Sequence, residues 1–316
     1  MPVEIKIGVS SCLLGEQVRY DGGHKHDAYI TGILGRFFTF VPVCPEVGCG
    51  LPVPREAMRL EGDPSRPRLV TRKSRLDLTE RMRGYCREKV AELDHEGLCG
   101  FIFKKGSPSS GLYRVKVYND RGIPAVNGRG LFAAAVTERF TLLPVEEEGR
   151  LCDPALRENF IERIFAWRRW QEFRAGNVSK GELVAFHTGH KLQLMAHSPK
   201  HYRELGKLVA GGKALDRAEL LTRYENLFMA ALTLPATVKK NTNVLMHITG
   251  YFKKVLSSGE KEELLEVISR YHDRFIPLIV PLTLLNHYVR RYGERYLQGQ
   301  MYLNPHPHEL MLRNHV

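Results

Sequence analysis

Phe37-Phe38-Thr39-Phe40-Val41-Pro42-Val43 runs directly into Cys44-Pro45-Glu46-Val47-Gly48-Cys49-Gly50-Leu51-Pro52-Val53-Pro54-Arg55. The first seven residues are mostly aromatic and β-branched, the composition of a strand. The prolines and glycines that follow predict a turn-rich loop rather than a helix. A strand therefore ends on one thiol, with a carboxylate two residues on and a second thiol three residues beyond that. Soft thiolate donors on a glycine-containing loop suit zinc or an iron–sulfur cluster. The acid between them argues for chemistry rather than a purely structural staple.

The same arrangement recurs along the first half. Ile5-Lys6-Ile7-Gly8-Val9-Ser10 is a short apolar run that stops at Ser10-Ser11-Cys12, and Cys99-Gly100-Phe101-Ile102-Phe103-Lys104 stops at Lys105-Gly106-Ser107-Pro108-Ser109-Ser110-Gly111. Val115 to Tyr118 reads as a further strand. Helical patterns fall over 77–93 and 130–140. Strands alternating with helices predict an α/β domain, mostly parallel and layered in the Rossmann manner, over residues 1–150. In such folds ligands sit beyond the carboxyl ends of the strands. Cys12, Cys44 and the serine loop 107–111 would then converge on one face.

The charged stretch Pro144-Val145-Glu146-Glu147-Glu148-Gly149-Arg150 breaks the pattern, and the periodicity beyond it is helical. Asp153-Pro154 predicts a helix start, with Pro154 at its first position. Ser179-Lys180-Gly181-Glu182 has the form of a capping box. Further helices are expected near 219–232, 243–255, 260–271 and 281–291. Residues 151–316 are thus read as an all-α domain.

The 316 residues are 43% hydrophobic and 26% charged, as in a soluble globular protein. No apolar run reaches the roughly 20 residues of a membrane helix. Met1 to Lys6 has no signal-peptide apolar core, so a cytoplasmic protein is expected. Six cysteines in a chain of this length do not form a disulfide framework, and clustered thiols in a reducing compartment more often bind metal or react. Cys86 and Cys152 lie outside the glycine motifs and read as ordinary small residues. The net charge is +12, of which about +8 falls after residue 150, compatible with a polyanionic partner such as nucleic acid.

Other candidates are less specific. The Arg19-Tyr20-Asp21-Gly22-Gly23-His24 turn could present a side chain to a ligand. The 107–111 loop offers hydroxyls and backbone N–H groups to a small polar ligand or anion, with Lys104 and Lys105 adding positive charge. His187 and His190, or His197 and His201, have helical spacing that a metal could use, but no third ligand accompanies them and core or surface roles are favoured. Trp167-Arg168-Arg169-Trp170 could stack on nucleic acid, although core packing with a solvated basic edge is the simpler reading.

Three of these segments, S-S-C-L-L-G, C-P-E-x-x-C-G-L-P-x-P-R and F-K-x-x-S-P-S-x-G, together resemble a bacterial domain family of formerly unknown function whose characterised members are thiouracil desulfurases. The resemblance spans residues 5–145 and keeps the order of the motifs. Asn241-Thr242-Asn243-Val244-Leu245-Met246-His247 and Gly250-Tyr251-Phe252 resemble a YbgA-type helical domain often fused to the first. The resemblance implies a [4Fe–4S] cluster on three cysteines, with the fourth iron open to take sulfur from a small thiolated base without net redox change. It assigns Cys12 and Cys44 as ligands and Glu46 as acid/base, and the reading places Ser10, Ser11, Ser107, Ser109 and Ser110 on the substrate pocket. Many relatives read S-P-S-C-G where this chain has Ser110, and many have glycine where it has Cys49. A compensating swap is inferred, with Cys49 as third ligand and Cys99 in reserve. The alternatives are a nucleic-acid-associated protein that senses or processes thiolated bases through its basic helical domain, and a zinc module without catalysis.

Overall fold

A computed structural model describes residues 4–176, 178–212 and 215–315, so Met1 to Val3 of the N-terminal stretch lie outside it. The chain divides into two compact units, Met1–Asp153 and Pro154–Val316.

The first unit is built on a four-stranded parallel sheet of β1 (Lys6–Ser10), β2 (Thr39–Val43), β5 (Gly100–Phe103) and β8 (Val145–Glu147), in the order β2-β1-β5-β8. β2 is an edge strand, which tolerates Pro42 opposite Val9. Between these strands lie the helices α1 (Ala28–Gly32), α2 (Pro45–Gly48), α3 (Thr79–Leu93) and α4 (Leu131–Arg139). Ile7, Val9, Phe101 and Phe103 of the sheet are fully buried, as are Met82 of α3 and Val136 of α4. Phe101 stacks on Phe103 at 4.2 Å between ring centroids, and Phe132 meets both edge-on. Gly8 is required beneath this stack, because a Cβ there would stand 2.2 Å from the Phe101 ring.

Two features depart from the sequence reading. The first is a second sheet, formed by β3 (Met58–Glu61), β4 (Arg68–Thr71), β6 (Val115–Tyr118) and β7 (Pro124–Gly128) in the order β4-β3-β6-β7, with β3 parallel to β6 and the outer pairs antiparallel. The second is β8, hidden in the charged stretch 144–150. Its Glu147 is 2% exposed and accepts the N–H groups of Leu112 at 2.8 Å and Tyr113 at 3.1 Å. A buried carboxylate that accepts two amide N–H groups is satisfied, so the charged stretch that breaks the alternating pattern packs as a strand.

The second unit is helical: α5 (Pro154–Ala175), α6 (Lys180–His197), α7 (Pro199–Gly211), α8 (Arg217–Thr233), α9 (Val238–Thr249), α10 (Ser258–His272), α11 (Ile279–Tyr292) and α12 (Arg295–Gln298). The Ser179–Glu182 capping box forms as read. Val244, Leu245 and Ile248 of α9 pack with Leu264 and Ile268 of α10 and Leu282 and Leu285 of α11. A separate aromatic cluster gathers Trp170, Phe186, Tyr224 and Phe228, with His187 and His190 buried in it. Trp170 is fully buried and stacks on Tyr224, which makes it a core residue. Among the described residues no helix is long and apolar enough to cross a membrane.

Candidate active site

The parallel sheet reverses its winding between β1 and β5, since the chain passes from β1 to one side and returns to the other. A crevice opens at such a switch point, at the carboxyl ends of the strands. Here it is a cavity of about 440 Å³, within the usual range for a small-ligand site. Ser10, Ser11 and Cys12 enter it after β1, Cys44 and Glu46 after β2, and the 104–110 segment after β5.

The loop after β2 folds differently from expectation. Pro45 to Gly48 make one helical turn, with Pro45 at its first position and Cys44 as N-cap. Proline fits there because the first helical N–H has no intrahelical partner. The turn aims Glu46 into the cavity. Arg55, from the end of the same loop, donates Nε to Glu46 Oε2 at 3.0 Å and pairs with it through Nη2 as well. The arginine side chain is 5% exposed, and Nη2 also donates to the Val18 carbonyl at 2.8 Å.

The other carboxylate oxygen faces the serine loop. Ser109 donates Oγ–H to Glu46 Oε1 at 2.8 Å. Ser107 Oγ lies 2.9 Å from Ser109 Oγ and accepts the backbone N–H groups of Ser109 and Ser110. Ser109 has given its one proton to Glu46, so Ser107 must donate to Ser109. Its 3.4 Å approach to Glu46 is secondary. The loop itself is fixed from α4, since Phe132 N–H bonds the Ser109 carbonyl at 2.9 Å and Gly130 N–H the Gly111 carbonyl at 2.7 Å. Ser10 Oγ accepts Lys104 N–H at 2.9 Å and ties the ends of β1 and β5 together. The hydroxyl of Ser110, a residue 4% exposed, lines the cavity without a hydrogen-bond partner among the described residues.

Burial pushes the Cys12 thiol up to about 11, with the nearby Cys44 acting in the same direction. Burial also raises Cys44. Such thiols stay protonated near neutral pH until a metal displaces the proton. Cys49 does not line the cavity: its Sγ donates to the Glu46 carbonyl at 3.2 Å. Cys99 sits before β5, at the amino end of the sheet, and its thiol turns to the Gly97 carbonyl. Among the described residues no group of three His, Cys, Asp or Glu side chains is placed to hold a metal ion. Cys12 and Cys44 thus give the cavity wall two soft thiol donors of the kind an iron–sulfur cluster takes, while Cys49 and Cys99 lie off that wall.

Arg19, Tyr20, Lys25, Arg72 and Lys105 also line the cavity. Lys104 is paired with Glu148, whose other oxygen accepts Lys105 N–H at 2.7 Å. Lys25, Arg72 and Lys105 have no carboxylate at ion-pairing distance among the described residues. His24 is not part of the wall. Arg55 is a site residue that the sequence reading passed over; its signal was the arginine that ends a proline-rich loop already carrying the acid.

Comparison with known proteins follows this division. Residues 7–148 match the family model described as 2-thiouracil desulfurase, and residues 191–307 match a protein of unknown function (DUF1722). Over 160 residues, half of its length, the chain is 34% identical to the uncharacterized protein YbgA of Escherichia coli (strain K12) and covers 94% of it. The structure of the [4Fe-4S]-dependent thiouracil desulfidase TudS is 33% identical, with 49% of this chain and 97% of that one covered. The TM-score is 0.39. The chain belongs to the YbgA family and joins to it a domain of the 2-thiouracil desulfurase family.

Proposed function

We propose that the first unit hydrolyses the C=S group of a thiolated pyrimidine, thiouracil-like, or of a related small thio-compound. Water supplies the oxygen of the new C=O group, the carbon–sulfur bond breaks and sulfur leaves as sulfide. No electrons are transferred overall. The observation that carries this reading is Glu46, held by Arg55 on one oxygen and Ser109 on the other in the cavity that Cys12 and Cys44 enter.

Cys12 and Cys44 are proposed to hold a [4Fe–4S] cluster; Cys49, the third thiol expected from the sequence, lies off the cavity wall. When bound, the cluster supplies an iron with an open position, a Lewis acid for the departing sulfur. The rest falls to the chain. Glu46 accepts a proton from the attacking water and returns it to the heterocycle nitrogen. Arg55 and Ser109 fix the carboxylate so that its position does not depend on the substrate. Ser10, Ser11, Ser107, Ser109 and Ser110 form the polar side of the pocket.

Anaerobically reconstituted protein incubated with 2-thiouracil should release uracil and sulfide in equal amounts. Protein with a full complement of iron and acid-labile sulfide that releases neither from any thiolated pyrimidine tested would sink the proposal.

A second reading concerns the carrier of the thiolated base. The unpaired Lys25, Arg72 and Lys105 on the cavity wall favour a phosphate-bearing substrate, a thiolated nucleotide or a polynucleotide. Its signature is turnover of a thiolated oligonucleotide that weakens steeply with salt while turnover of the free base does not. Equal salt response for both substrates defeats it.

A further inference from the structure

Each of three adjacent strands of the site sheet is followed by a residue that can donate to the cavity: Cys44 after β2, Cys12 after β1 and, on the loop after β5, Ser110. We infer that the Ser110 oxygen is the third protein ligand, so that the cluster site of this chain is two thiolates and one hydroxyl rather than three thiolates. The inference rests on the cluster reading above and concerns which residue completes it.

The serines on the wall are not equivalent. Ser107 and Ser109 spend their protons on the relay to Glu46, and Ser10 Oγ accepts the Lys104 amide. Ser110 uses its backbone N–H, toward Ser107, while its side chain has no hydrogen-bond partner among the described residues. A cavity-lining residue whose hydroxyl is not engaged elsewhere in the protein is free to meet a ligand held by Cys12 and Cys44. Ser11 also lines the cavity, but it shares one turn with Cys12 and cannot provide a third, separate point of attachment. Cys49 is directed to the Glu46 carbonyl, and the carbonyls of Cys49 and Gly50 are held by Arg81 at 2.6 and 2.7 Å. Reaching the cavity would require this clamped turn to reorganise. The Ser110 loop needs no such movement, because α4 already fixes it against the strand ends.

On binding iron, Cys12, Cys44 and Ser110 would each release a proton to solvent. Oxygen is a harder donor than sulfur and suits iron–sulfide chemistry less well, so one corner of the cluster would be held more weakly than the other two. A cysteine at position 110 would strengthen that corner.

The test is iron and acid-labile sulfide content after anaerobic reconstitution and desalting, with the visible charge-transfer band followed in air. It compares the full-length chain with its S110A, S110C, S11A and C49A variants, each shown to be folded by circular dichroism. Retained iron should fall at least threefold in S110A and stay at the wild-type level in S11A and C49A. In S110C the band should decay several-fold more slowly in air. S110A with the wild-type iron and sulfide content overturns the assignment, and if C49A then loses them, the third ligand is that thiol and the cluster reading stands. If neither the wild type nor S110C takes up iron and sulfide, the cluster reading itself fails.

Discussion

Gly130 lies so close to Ser109 that a Cβ at position 130 would stand 2.4 Å from the Ser109 carbonyl oxygen. The glycine is outside the cavity wall, but its contact sets the height of the serine loop and so the position of the hydroxyl on Glu46. Backbone cannot yield as a flexible side chain can, so G130A must push the loop toward the cavity. Overpacking of this kind costs about 1–3 kcal/mol. G130A should lower the melting temperature of the first unit and reduce turnover, whereas G32A, where an added Cβ meets nothing within 4 Å, should leave turnover unchanged. Equal turnover in G130A and wild type would show that the loop height is not critical.

The Glu46 relay separates proton transfer from assembly of the site. E46Q keeps the shape and loses the proton acceptor, so turnover should drop by about 10²–10⁴-fold. Its iron content should stay at the wild-type level, because Cys12, Cys44 and Ser110 are untouched. S109A leaves Arg55 in place and should cost less than E46Q. A variant E46Q that loses its iron would make Glu46 a ligand instead of an acid/base.

Acid should destabilise the second unit well before carboxylates titrate. Burial lowers His190 to about 3, His187 to about 4 and His306 to about 4. All three are neutral in the folded chain and take up a proton on unfolding below roughly pH 6.5. The unfolded state therefore binds more protons, and stability is full above about pH 6.5 and declines as the pH falls toward 4. Each buried histidine adds about 1.4 kcal/mol per pH unit to that slope. Trp167 and Trp170 are the two tryptophans of the chain and both lie on α5, so their fluorescence reports this unit. The urea midpoint measured by it should fall between pH 7.5 and 5.5. A flat midpoint would mean that the histidines are solvated.

The last turns of the chain are pinned by a buried ionic network. Glu162, 3% exposed, meets His197 Nε2 at 3.1 Å, Gln193 Nε2 at 2.9 Å and Arg313 at 3.4 Å. Burial works to raise its carboxyl, but the charges and hydrogen bonds of His197 and the charge of Arg313 outweigh it and hold the group well below the usual carboxylate range. Arg313 also donates to the Tyr302 carbonyl at 2.7 Å. R313M removes the cation and leaves buried acids, at a cost of about 3–5 kcal/mol. The R313M/E162Q pair should cost less than the sum of the singles. Additive losses in urea titrations would show that the two residues do not interact.

How much of this was legible in the sequence depends on the range of the interaction responsible. β1 and β5 are apolar runs buried along nearly their whole length, β2 is an aromatic and β-branched run, and the helices of the second half carry their own periodicity and caps, so local pattern was enough to predict the α/β and all-α halves. The convergence of Cys12, Cys44, Glu46 and the serines also followed, because parallel strands place their carboxyl ends on one edge. Val115–Tyr118 was legible as a strand, but its pairing with β3 through Leu60 and Val117 was not, since the four-residue β3 lies in a charged segment and its partner is far away in the chain. Nor was β8, whose Glu147 is satisfied in the interior by N–H groups donated from the distant Leu112 and Tyr113. The direction of the Cys49 thiol, the clamp of Arg55 on Glu46 and the free hydroxyl of Ser110 were decided by the tertiary structure alone. They depend on side-chain directions and partners from separate strand ends, which spacing along the chain does not encode.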